Sequence, residues 1–141
     1  MDISTHSFEV KSRGKTDIID ITDHVQSIIE TNKYSEGSAL VFIGGSTAGI
    51  TTIELEPGLM KDYPDFFEKI APSNEAYKHD ETWHDGNGYS HIRAALQGAS
   101  FTVPFMQGEL LLGTWQQIVL IDFDNRPRSR KVIVQVTGMK K

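Results

Sequence analysis

The chain has 141 residues, a formal net charge of −5 and no cysteine. That length suits one folded domain over residues 1–141, large enough to bury its own core, and the ordinary hydrophobic and charged content argues against disorder. The composition excludes disulfides, thiolate metal sites and cysteine nucleophiles, and an acidic balance without a long basic run argues against a protein built to hold nucleic acid.

Taken in order, "MDISTHSFEV" has neither the charged start nor the apolar core of a signal peptide. No apolar run approaches the ~20 residues that cross a bilayer. A cytoplasmic protein with no membrane contact is expected. "STHSFEVKSR" alternates around Phe8 and Val10 as a half-buried strand does. "DIIDITDHVQSIIETNKYSEG" reads as a short strand followed by a helix, with Thr22 or Asp23 as N-cap and Val25, Ile28 and Ile29 as its apolar stripe. "SALVFIGGSTAGITTIELEPG" is strand, small-residue turn and strand. A helix is predicted from Pro57, with Leu59 and Met60 inward, Pro64 interrupting or restarting it, and Phe66, Phe67 and Ile70 as a second apolar face. Residues 73–89 read as a long loop, and "SHIRAALQG" as a short helix capped by Ser90 and stopped at Gly98. The last third is strand-rich: a hairpin turning at Gln107-Gly108, a long strand in "TWQQIVLIDFD", a turn at "NRPRSR" and a final strand in "KVIVQVTG". Strands joined by hairpins outnumber helices, so the predicted class is α+β with mostly antiparallel sheet.

Three of the five histidines, His79, His84 and His91, gather with Asp80, Glu81 and Asp85 around the predicted loop. Imidazole and carboxylate are the ligands for a divalent ion where cysteine is absent, but His-x4-His-x6-His matches no helical metal signature, and a polar loop in water has the same composition. His91, in the first turn of its helix, would sit at the positive end of the dipole, which disfavours imidazolium and leaves a neutral ring able to bind metal or accept a proton. "GGSTAG" lets a ligand approach the backbone, with Ser46 and Thr47 as hydroxyl donors suited to phosphate; it is not a Walker loop. Glu54 stands at the end of the next strand. Strand alternation puts Thr114 and Gln116 on one face, Trp115 and Gln117 on the other, lining either a pocket or an edge facing water. Arg128 and Arg130 share a face if the turn is extended, and arginine is the natural partner of phosphate oxygens; exposed turn arginines are otherwise simply solvated.

"SHIRAALQG", "VPFMQGELLLGTWQQIVLIDFD" and "RPRSR", in that order, closely resemble the YjbQ family, as do "YKHD" and the Ser/Thr-Ala turn followed by Glu54. The resemblance covers nearly the whole chain, and "G-x-L-x-x-G-T-W-Q" over Gly108 to Gln116 is its most specific motif. It implies sandwiched, mainly antiparallel sheets with a few helices, assembled as a homotrimer with the site near the subunit boundary. The family's polar residues fall on Ser46, Thr47, Glu54, His79, Asp80, His91, Thr114 and Gln116, and its arginine-rich turn on Arg128 and Arg130. Many relatives carry a histidine where this chain has Gly45, and His84 is expected to swing in to replace it. The implied activity joins a pyrimidine methyl pyrophosphate to a thiazole phosphate, giving thiamine phosphate and pyrophosphate. That chemistry asks for a divalent metal, Mg or Zn, and for cationic or hydroxyl donors around the leaving group. His91, Glu54 and Asp80 are then the catalytic set, Ser46, Thr47, Thr114, Gln116, Arg128 and Arg130 hold the phosphorylated metabolite, and His79, His84 and His91 are the metal ligands. Two other readings stay open: a zinc-dependent hydrolase in which Glu54 activates water beside the three histidines, and a trimeric metabolite binder without turnover.

Overall fold

A computed structural model describes residues 1–141, and its strands form two antiparallel sheets. The larger runs β1 (Asp2–Ser12), β8 (Arg128–Lys140), β3 (Tyr34–Ile43), β5 (Ser100–Met106) and β6 (Glu109–Leu110). The smaller runs β2 (Asp17–Asp20), β7 (Gln117–Asp122) and β4 (Ala48–Ile53). β7 is central and buried on both faces, which is why its sequence is an unbroken apolar run and does not alternate. Ile118 and Leu120 join Val41, Val103 and Val134 of the larger sheet in the main core. Val119 and Ile121 pack the other way, onto Phe67, Ala94 and Phe123. Each such buried side chain contributes about 1.5–3 kcal/mol. The result is three layers: large sheet, small sheet and, beyond it, the helices that carry Phe67 and Ala94.

α1 (Thr22–Thr31) turns Val25 and Ile29 into the main core, as its stripe predicts. Neither Thr22 nor Asp23 caps it. The N-cap is Ile21 with no side-chain bond, and Asp20, still in β2, accepts the Thr22 N–H at 2.9 Å. α2 (Pro57–Ile70) passes through Pro64 without interruption. Glu56 caps it, accepting the N–H groups of Gly58 and Leu59, and Phe67 anchors it against Phe123. That tertiary anchor offsets the one hydrogen bond proline removes. The anchor is narrow: Met60, Phe66 and Ile70, expected inside, are exposed.

The predicted loop of residues 73–89 contains α3 (Lys78–Trp83), and α4 (Gly88–Gln97) starts two residues before Ser90. Ser90 is therefore buried within the first turn, and Asn87 is the N-cap. The acceptor for the Gly88 N–H comes instead from α3, as Asp80 Oδ1 at 3.0 Å. Gly88 has to be glycine for this contact, since a Cβ there would lie 2.6 Å from Tyr77 Cβ. The hairpin between β5 and β6 turns at Gln107 (φ 54°) and Gly108 (φ 77°), the left-handed pair of a tight hairpin. β7 begins only at Gln117. Thr114–Gln116 form a turn, closed by the Gln116 N–H to Gly113 C=O bond and by Gln116 Oε1 accepting the Gly113 N–H, so strand alternation does not apply to Thr114 and Gln116. No helix is long and apolar enough to cross a membrane.

Candidate functional site

The C-terminal end of β7 carries Asp122 and, two residues on, Asp124, both wholly buried. β8 begins after a short turn and brings back two arginines at the same spacing. Arg130 grips Asp122 with two parallel bonds, Nε to Oδ2 at 2.7 Å and Nη2 to Oδ1 at 2.8 Å, and Ser12 donates to Oδ2 at 2.5 Å. Arg128 Nε donates to Asp124 Oδ2 at 2.7 Å. Thr47, at the foot of β4, accepts from Arg130 Nη2 at 2.6 Å and donates to Asp124 at 3.2 Å. Asn87 closes the group from α4, donating to Asp124 Oδ1 at 3.2 Å. Burial pushes the Asp124 pKa up, but the bonds from Asn87, the Asn125 N–H and Arg128 outweigh it and hold the group below the ordinary carboxylate value. The Asp122 bonds raise the Arg130 pKa above its ordinary value. Two positive and two negative charges cancel here, so Arg128 and Arg130 are not free anion receptors. Only the donors their aspartates leave unused remain, among them Arg130 Nη1, 3.2 Å from where a Cβ on Gly45 would stand.

Against this block lies the α3–α4 corner. The rings of His79 and His91 are 4.1 Å apart at 38°. His79 Nδ1 is buried without a hydrogen-bond partner and lies 3.8 Å from both Asp80 Oδ1 and Asp85 Oδ1. His91 has its pKa lowered, first by burial and then by His79, against the pull of Asp124, Asp85 and Asp80. The lowering has the expected direction but a different cause, burial, and the ring is the fourth helical residue. His91 also lines a cleft of ≈ 340 Å³ with Gly45, Ser46 and the small side chains of α4.

Ser46, Thr47, His79, Asp80, His91, Arg128 and Arg130 thus meet at one end of the small sheet. His84 ends α3 in a left-handed conformation (φ 60°), is exposed, and lies outside the His79–Asp80–Asp85 cluster. Glu54 and Thr114 are at the other end of β4, roughly 20 Å along the strand from Thr47. They line a separate cleft of ≈ 390 Å³ with Asp20, Glu56, Trp115 and Gln117. Gln116 lies at that end too, bound to Thr52. Sequence reading missed Asp122, Asp124, Asn87 and Ser12 as parts of the site and did not assign Asp85 a role. One signal was available for the first pair: two aspartates at i, i+2 ending an apolar strand, answered by two arginines at i, i+2.

Together these features define a class: a two-sheet α+β domain whose small sheet ends in a buried Asp–Arg block faced by a histidine pair. Comparison with known proteins makes the class particular. The family model described as UPF0047 protein YjbQ-like matches residues 6–139, and the chain belongs to that family. A UPF0047 protein of Archaeoglobus fulgidus is 40% identical over 126 residues, covering 89% of this chain and 95% of the relative. The UPF0047 protein YugU of Bacillus subtilis is 32% identical over 134 residues, 94% of this chain and 98% of its own. Among solved structures, a YbjQ-like protein of unknown function from Sulfolobus solfataricus superposes with a TM-score of 0.86 at 29% identity, covering 97% of this chain and 99% of that one. A hypothetical protein from Aeropyrum pernix reaches 0.88 at 30% identity, covering 96% and 98%.

Proposed function

We propose that the chain is a transferase of phosphorylated metabolites that joins a pyrimidine methyl pyrophosphate to a thiazole phosphate. One observation carries the reading: His91 and Ser46 line one cleft at the end of the small sheet, and the uncommitted edge of Arg130 lies beside Gly45, which lines the same cleft. The thiazole nitrogen attacks the pyrimidine methylene carbon, the C–N bond forms, and the C–O electron pair leaves with pyrophosphate. Arg130, Arg128 and the Ser46 hydroxyl offer donors to the departing oxygens, and the His91 ring N–H offers another. A divalent ion, when bound, adds charge neutralisation at the same group. The hydrolase reading needs Glu54 beside the histidines, and within one chain β4 separates them.

Assembly belongs to the same reading. If Glu54, Thr114 and Gln116 serve this site, they come from another copy, as a homotrimer with its site at the subunit boundary allows. The outer face of the larger sheet supports such packing: Phe42 and Ile133 are cross-strand partners there, Leu40 lies one row away, and Leu40 and Phe42 are exposed. Sedimentation should find three chains per particle.

The direct test incubates the protein with both substrates and magnesium and quantifies thiamine phosphate. Product should fall about 10²-fold or more in His91→Ala. No product from the wild type, or equal product from the variant, removes the assignment and leaves the binder.

A further inference from the structure

We propose that the α3–α4 corner is a divalent-cation site with His79 Nδ1 and the carboxylates of Asp80 and Asp85 as ligands, and that it takes an oxygen-preferring ion of the Mg²⁺/Mn²⁺ class. The three ligand atoms lie within 4.8 Å of one another; His79 and Asp80 are in the first turn of α3, and Asp85 follows its C-cap. His79 Nδ1 is buried, unpartnered and 3.8 Å from each carboxylate. That is too long for a hydrogen bond, and it is about the span of two donors that each touch an ion at about 2.2 Å. Nearby, Asn87, 4% exposed, donates through Nδ2 to Asp124 and keeps a buried Oδ1 without a partner. It adjoins Gly88, whose N–H fixes Asp80 Oδ1.

The donor set decides the ion. One imidazole and two carboxylates are oxygen-rich, and three ligands leave half an octahedron for water or substrate oxygens. The three-histidine set that would favour zinc is not assembled, because His84 is exposed and neither it nor His91 belongs to the cluster. This sharpens the metal requirement of the transferase reading without resting on which reaction is catalysed.

The test titrates Mn²⁺ into the full chain with no organic substrate and follows free ion by electron paramagnetic resonance. One ion per chain should bind with a Kd in the millimolar range or below. Asp85→Asn, at an exposed position that leaves folding intact, should weaken binding about tenfold or more. Asp80→Asn combined with Asp85→Asn should abolish it. No saturable binding by the wild type, undiminished binding in the double variant, or equal weakening by His84→Ala would each overturn the site. Mn²⁺ binding without thiamine phosphate formation keeps this site and removes the transferase; product without saturable binding does the reverse.

Discussion

Two polar regions touch at the end of the small sheet, and they are built on opposite principles. In the Asp122–Asp124 block every carboxylate oxygen is hydrogen-bonded, the charges cancel, and both aspartates are sealed from water. In the α3–α4 corner His79 Nδ1, Asn87 Oδ1 and Ser90 Oγ are buried without partners, and two imidazoles press together. A satisfied network fixes geometry, whereas an unsatisfied one costs free energy that a ligand can recover. The first region is scaffold and the second is where chemistry is expected, with Asn87 belonging to both.

The sharpest way to break the contrast is Arg130→Met. It strands Asp122 as a buried, poorly compensated charge and should cost about 3–5 kcal/mol, read as a lower urea midpoint. A change within 1 kcal/mol would mean the block is not holding the sheet end. Acid should attack the same region. The Asp124 pKa is lower in the folded chain than in the unfolded one, so its contribution is complete above the ordinary carboxylate range. That contribution is lost as pH falls through the folded value. The stability gap between wild type and Asp124→Asn should therefore be wide near neutrality and narrow toward pH 3; a gap that is equal at both would contradict this sign.

Asn87→Ala removes one charge-assisted bond and should cost about 1–3 kcal/mol, and it should also disturb the histidine rings, visible as shifted imidazole resonances. Unmoved resonances would show that the two regions are not joined through this side chain. The smallest expected effect is from His79→Ala or His91→Ala. Neither ring holds a hydrogen bond of the scaffold, so stability should stay within about 1 kcal/mol of wild type. A loss as large as that of Arg130→Met would erase the distinction.

Much of the fold was legible because local physics decides it. The Gln107-Gly108 hairpin, the Val25–Ile29 stripe and the strands around the small-residue turn follow from turn chemistry and periodicity alone. α3 was not legible. Six residues are too few to show a period or to be helical on their own, and what ties α3 to α4 is Asp80 reaching the Gly88 N–H. The Ser90 cap failed for the same reason, since the acceptor lies eight residues back on another helix. Within the site, His79, His91, Thr47 and the arginines were found by residue type and by resemblance. Their roles were not all found: a sequence shows Arg128 and Arg130 but not the buried carboxylates that occupy them. It shows Glu54 beside a promising turn, but not that the strand between them carries it to the far end of the sheet.

The central claim is that ligands enter at the α3–α4 corner and not elsewhere on the polar surface. The most direct measurement is paramagnetic broadening of the five histidine ring signals as Mn²⁺ is added in small amounts. The rings of His79 and His91 should disappear first, while those of His6 and His24, on β1 and α1, stay sharp. Equal broadening of all five, or loss of His6 or His24 before His79, would contradict the account.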